Sequence, residues 1–441
     1  MFENLLFQPA SQQLSEDIRL GQLPNALLFA GPPASGKLTC ALELARVLAC
    51  TARPAGAWQC SCDSCLKHKS LVSTSVLLAG NRSCSLEIAA SSKTFLDALY
   101  SSASHLKASR YLFVRSIRKL SSRFSPVLWE GEDKVSKLAP ILASMDEALE
   151  ELERMPMLSG ENPTGELDFS KVEKLVKELV TLANKLEAGF MYDTIPVAQM
   201  RRASSWARYK SEFGKKVIII ENADKMQEGS RNAMLKILEE PPEDVVFVLT
   251  ATRRNAVMPT ILSRVRSYSF LPRDGKAQAQ VISRVFHGEV APDQLETASI
   301  ENYLLSFLPV SPEVVAAAGN QFIQDILEGR QPEIEALIKT CGGFEPRLLL
   351  NLFFKSVSRT LRDVGLGHHE MLTNHGAPAN VQSQDVLRQF RLAELSTQCL
   401  AAVHECNSHI TIYNQGIAAA LELLSSDISL LVKKYRGGAI I

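Results

Sequence analysis

The run ALLFAGPPASGKLTC, residues 26 to 40, decides the fold. Five apolar residues lead into Gly31, Gly36 and Lys37 at phosphate-loop spacing, and the segment beginning at Thr39 carries apolar residues at helical spacing. The stretch therefore predicts a buried strand, a phosphate loop and a helix. In a working loop, N–H groups at the helix N-terminus wrap the phosphates, the lysine neutralises their oxygens, and the next hydroxyl ligates Mg²⁺. Leu38 occupies the hydroxyl position and cannot ligate a metal. Thr39 stands about 100° further round the helix and reaches the ion only after rearrangement. The pattern permits phosphate binding without the metal that hydrolysis needs.

Two further short β-branched runs, KVIII (216–220) and VVFVLTA (245–251), read as buried strands, so the fold class is α/β with a parallel, doubly wound sheet. A helical insertion of about 100–194 interrupts it. Pro140 is placed to open one helix, with Ile141, Leu142, Met145, Leu149 and Leu152 on one face. After a link at 156–165, Ser170 and Glu173 form a capping box opening a second helix with Val172, Leu175, Val176, Leu179, Leu182 and Leu186. The pair reads equally as an antiparallel hairpin standing on the sheet domain or as two helices flat on the core. Beyond residue 272 the patterning is helical, interrupted at 365–384 by a loop whose three histidines read as solvated rather than metal-binding.

The composition, 46% hydrophobic, supports packed cores, and 48 basic against 48 acidic residues leave no overall attraction to nucleic acid or anionic membrane. No leader pattern opens MFENLLFQPA and no apolar run is long enough to span a bilayer, so a cytoplasmic location is expected. Five of nine cysteines (Cys40, Cys50, Cys60, Cys62, Cys65) crowd together, which in a reducing compartment suggests metal binding. Cys84, Cys341, Cys399 and Cys406 read as core cysteines.

Taken together, GQLPNALLFAGPPASGK and NAMLKILEEPPEDVVFVLTATRRNAVMPTILSRV (232–265) resemble bacterial DNA polymerase III clamp-loader subunits of the AAA+ superfamily, relatives of replication factor C. The resemblance covers about 1–80 and 195–272, only faintly the C-terminal part, and leaves the insertion outside. It implies an AAA+ sheet domain (1–272), a helical lid (273–335) and an all-α collar for oligomerisation (336–441). It implies as partners gamma/tau-like and delta-like subunits and, through them, the β sliding clamp and primed DNA.

Some members of this family are ATPase motors, gamma or tau, whereas delta-prime is a stator with a decayed site. A motor carries Asp-Glu after the KVIII strand, for metal and for water activation; this chain has Glu221-Asn222, and an amide cannot serve as a general base. A motor's lid arginine finds only Gly319-Asn320-Gln321 as a local match. Thr250 and Thr252 fall near the sensor position. Arg264, in the Ser-Arg motif, is the family's trans arginine, which enters a neighbour's ATP site; its alternative is a surface ion pair, and Arg266 is the competing candidate. These features favour a delta-prime-like subunit in which ATP binding is possible and Mg²⁺ unlikely; the alternative is an active gamma/tau-like ATPase. A small-molecule P-loop kinase and a zinc-dependent DNA-binding module fit less well. The resemblance also implies a structural zinc module at about 50–65, with Cys50, Cys60, Cys62 and Cys65 as ligands. Its C-x-C-x₂-C spacing departs from the family's C-x₂-C-x₂-C, so either the loop re-registers or His68 replaces one thiolate.

Overall fold

The computed structural model describes residues 1–81, 84–156, 168–192, 194–210, 214–308, 310–341, 346–366, 382–411 and 415–437. The chain divides into two compact units, Met1–Phe307 and Leu308–Ile441.

The first unit is built on five strands: β1 (Ala26–Ala30), β2 (Val76–Ala79), β3 (Lys216–Ile220), β4 (Val245–Ala251) and β5 (Arg266–Ser269). Their order is β2-β3-β4-β1-β5 and every pairing is parallel. The central three are the runs the sequence marks as strands; both of their faces are covered, so they read as continuous apolar stretches. The edge strands VLLA and RSYS are only four residues each, and the second is polar except for Tyr268, its one buried residue, so neither stands out in a search for long apolar runs.

Alternation along the strands sorts the core into two layers. Leu27, Phe29, Val217, Ile219 and Val248 face the helices Ala10–Arg19 and Lys37–Leu48. Leu28, Ile218, Ile220 and Phe247 face a thicker layer whose helices include Ser85–Tyr100, Leu106–Ser121, Phe169–Phe190 and Glu228–Glu239.

The helix expected to open at Pro140 instead runs Val135–Arg154 with Pro140 inside it. Proline removes one helical hydrogen bond there, but residues 135–137, 139 and 140 are exposed, so water can take the freed Ser136 carbonyl. The next helix, Phe169–Phe190, starts on Asp168, whose carboxylate accepts from Lys171 N at 3.0 Å. No capping box forms there: Glu173 accepts from the Tyr100 hydroxyl at 2.8 Å and pairs with Lys177. The apolar stripes of both helices are buried in the same core as the sheet. Arg110 donates to Leu152 O and Met155 O, and Glu187, itself buried, accepts from Cys84 N and Ser85 Oγ. The two helices therefore pack on the core through the Ser85–Tyr100 and Leu106–Ser121 helices, two elements unnoticed in the sequence.

The second unit is helical: Pro312–Glu328, Ile334–Cys341, Pro346–Gly365, Gln382–Thr411 and Ile417–Gly437. Gly319 lies inside the first, where an added Cβ would sit 2.9 Å from Ser356 Cβ, and Asn320 Oδ1 accepts from Ser356 Oγ and Thr360 Oγ1. The local match to a lid turn at 319–321 is thus a helix–helix contact. The link at 157–165, the histidine-rich loop at 367–381 and the Cys341 side chain lie outside the described residues.

Candidate phosphate-loop and cysteine sites

The phosphate loop follows β1 and ends on the Lys37–Leu48 helix, the end of a parallel strand where ligands bind in such sheets. Both loop glycines are demanded by the fold. A Cβ at Gly31 would lie 2.2 Å from Phe270 O, and Gly36 has φ +93°. Lys37 Nζ donates to Gly31 O (2.6 Å), Pro32 O (2.5 Å) and Ser35 Oγ (3.3 Å), so the ammonium closes the loop on itself. Burial lowers the Lys37 pKa to about 8, against the opposing charge of Asp224. Arg273 ties the loop down from the other side through Ala34 O (2.7 Å) and Leu6 O (2.8 Å). It also lines a cleft of about 510 Å³ with Leu5, Phe7, Gln12, Pro272 and Asp274. Leu38 packs against the apolar layer, and Thr39 is half-buried.

Glu221, at the end of β3, is buried in an ion pair with Arg123, whose Nε and Nη2 approach its Oε2 at 2.8 and 2.6 Å. Asn222 adopts a left-handed conformation, donates its amide to Asn81 Oδ1 at 2.6 Å, and gives its backbone N–H to Thr250 Oγ1 at 3.0 Å. Thr250 is therefore engaged at the strand end. The carboxylate aligned with the loop is one the sequence reading missed, Asp224. Its Oδ2 accepts from Thr252 Oγ1 at 2.6 Å, while its Oδ1 is buried with no hydrogen-bond partner among the described residues. The signal was available in ENAD, two residues beyond the expected pair.

Arg264 is partly exposed; it pairs with Glu239 at 2.6 Å and donates to Thr260 O and Ser263 Oγ. Arg266 is held by Asp17 at 3.0 Å, which also accepts from the Tyr268 hydroxyl.

At the other end of the Lys37–Leu48 helix, the sulfurs of Cys50, Cys60, Cys62 and Cys65 all lie within 4.8 Å of one another. The C-x-C spacing works because Cys62 is extended (φ −60°, ψ 151°) and caps the Asp63–Lys69 helix. In extended chain residues i and i+2 share a side, and on a helix i and i+3 share a face. Four thiolates on a tetrahedral metal with bonds of about 2.3 Å stand about 3.8 Å apart, and Cys50 Sγ to Cys60 Sγ is 3.7 Å. The cluster can bind a metal of thiolate preference. His68 is not part of it: Nδ1 bonds Ser64 O at 2.7 Å, Nε2 faces Ser75 Oγ at 3.2 Å, and burial lowers its pKa. Burial, together with the Cys50 and Cys62 thiols, raises the Cys65 pKa to about 12, against the pull of Arg46. Cys40, Cys84, Cys399 and Cys406 are buried core residues.

Parallel strands in the order β2-β3-β4-β1-β5 with a phosphate loop after β1 make this an AAA+-type α/β domain, followed by a helical unit. Residues 7–141 and 168–274 match the family described as DNA polymerase III, delta subunit. The chain belongs to this family of bacterial clamp-loader subunits. The match runs through most of 100–194, the segment that resembled nothing in the sequence, and leaves 142–167 outside. The delta' subunit of Bacillus subtilis is 36% identical over 81 residues, 18% of this chain and 24% of that protein. The gamma/tau subunit of Mycobacterium tuberculosis is 31% identical over 91 residues, 21% of this chain and 15% of that protein. The Pseudomonas aeruginosa delta' subunit is 43% identical over 51 residues, 12% and 16%. The chain thus spans about a quarter or less of these relatives, and they do not separate delta' from gamma/tau. A gamma subunit-related protein of Thermotoga maritima superposes on 54% of this chain and 80% of its own at a TM-score of 0.25 and 16% identity, too loosely to bear on the fold. No described helix is long and apolar enough to cross a membrane.

Proposed function

We propose that this chain is a delta-prime-like stator of the clamp loader, which does not hydrolyse ATP itself and supplies Arg264 to the ATP site of a neighbouring gamma/tau-like subunit. The observation that carries the reading is the Glu221–Arg123 pair. A carboxylate held by a buried guanidinium at 2.6 Å is withdrawn from metal binding, and Asn222 next to it cannot act as a base. Its partners are then motor and delta-like subunits, acting on the β clamp at primed DNA in the cytoplasm. In this reading residues 273–335 serve as lid and 336–441 as collar, whereas the two compact units divide after Phe307, inside that lid range. The cysteine cluster holds structural Zn²⁺, adding folding energy and no chemistry.

Two measurements test this together: ATP turnover by the purified chain, and turnover by a loader reconstituted with Arg264→Ala. The chain alone is expected to be inactive, and the variant to lower loader turnover by roughly 10³-fold at that one site. Wild-type turnover in the variant loader sinks the trans role. A second reading, an active gamma/tau-like ATPase, is favoured by Asp224, whose buried unpartnered oxygen stands beside the loop. Mg²⁺-dependent turnover by the chain alone, lost in Lys37→Ala, would establish it.

A further inference from the structure

The Arg46 side chain is 1% exposed, and the packing gives each of its five N–H donors an acceptor. Nε and Nη2 fork onto Glu43 at 2.9 and 2.6 Å. Nη2 also donates to Gly56 O at 2.8 Å, and Nη1 to Ala57 O at 3.0 Å and to Cys65 Sγ at 3.1 Å. Gly56 and Ala57 belong to the loop between Cys50 and Cys60. The Trp58 ring covers the guanidinium at 5.5 Å and also carries Lys69, whose ammonium donates to Cys60 O at 2.8 Å. Glu43 holds the far edge of the fork, so the ion pair is a dipole with its positive end on the most buried sulfur of the cluster.

We propose that Arg46 is the positioning residue of the cysteine site: its Nη1–H···S bond stabilises Cys65 as a metal-bound thiolate, and its carbonyl contacts hold the Cys50–Cys60 loop in chelating geometry. This rests on the reading that the cluster holds a metal. Four thiolates around a divalent ion carry two excess negative charges in a setting where Cys50 and Cys65 are buried and Cys60 and Cys62 half-buried, and a directed cationic donor on the buried side offsets them best. Partners of this kind affect metal affinity by about 10–100-fold. The arrangement also makes one helix responsible for both sites, since Lys37 opens it and Arg46 lies near its end.

The test uses the full chain with Zn²⁺, and with Co²⁺ as the spectroscopic probe. Arg46→Gln is expected to weaken Zn²⁺ about 10–100-fold in chelator competition and to move the thiolate-to-cobalt charge-transfer band to lower energy, because a thiolate without its hydrogen bond is a better donor. Arg46→Lys keeps the charge without the fork and is expected to fall between. A folded Arg46→Gln chain whose affinity stays within twofold and whose band does not move overturns the proposal. If Arg46→Gln does not fold, an Arg46→Lys chain matching wild type in both readouts overturns it equally. A wild-type chain that binds neither ion removes the metal reading itself, and this proposal with it.

Discussion

The two ends of the Lys37–Leu48 helix carry opposite lessons. At its start the motif letters are nearly intact, yet Lys37 is bonded to its own loop, Leu38 packs in the apolar layer, and Glu221 is bound to Arg123. At its other end the spacing departs from the family pattern, yet four sulfurs converge within 4.8 Å. A motif keeps its letters when the fold also needs them: Gly31 must admit Phe270 and Gly36 must adopt positive φ whether or not phosphate binds. A chelating set needs only sulfur positions, which an extended segment followed by a helical turn supplies at an unfamiliar spacing.

The largest expected effect falls on the loop end. Arg123→Met leaves the Glu221 carboxylate buried beside Gly80 with its principal partner gone, and breaking such a pair costs about 3–5 kcal/mol. Denaturant unfolding of the chain measures it; a loss below about 1 kcal/mol would mean that Glu221 is free enough to serve a metal, and the contrast between the two ends would weaken. Next comes the cysteine end. Stripping the metal with a chelator removes about 2.7 kcal/mol of linkage for an ion held at a hundred times its Kd, a fall of roughly 4 °C in the unfolding midpoint of a unit the size of Met1–Phe307. An unchanged midpoint would leave four ordinary thiols, two buried and two half-buried.

Legibility followed burial. β1, β3 and β4 were plain because a strand covered on both faces is written as an unbroken apolar run, while β5 was hidden because at the edge only Tyr268 of its four residues is buried and the rest are polar. The stripes of the two long helices were readable at helical spacing, but what they pack against was not, since apolar periodicity names a buried face and no partner. Asp168 replaced the expected capping box because Glu173 is drawn to Tyr100, a contact across 73 residues that no local pattern encodes. Clustering marked five cysteines, Cys40 among them, and the family resemblance narrowed them to the four whose sulfurs converge. Asp224 was missed because the family motif directs attention to Glu221-Asn222, whereas a 3-10 turn at 223–225 brings the next acid to Thr252 and within the electrostatic reach of Lys37.

That acid gives the smallest effect and the sharpest probe of the loop end. Lys37 in the folded chain loses its proton near pH 8, against 10.5 for an ordinary lysine, because burial outweighs the attraction of Asp224. The unfolded chain therefore binds the extra proton between about pH 8 and 10.5, and this residue's contribution to stability rises with pH across that window. Labelling of Lys37 by an amine-reactive acyl reagent, followed by mass spectrometry as pH is raised, should be half-maximal near 8. In Asp224→Asn the midpoint should fall by about one pH unit, the size of effect expected from removing one nearby opposite charge. Glu221→Gln should leave it in place, since that carboxylate is already neutralised by Arg123. A midpoint that follows Glu221 instead of Asp224 would return the acidic role to the end of β3, and the loop would then be organised as in an active ATPase.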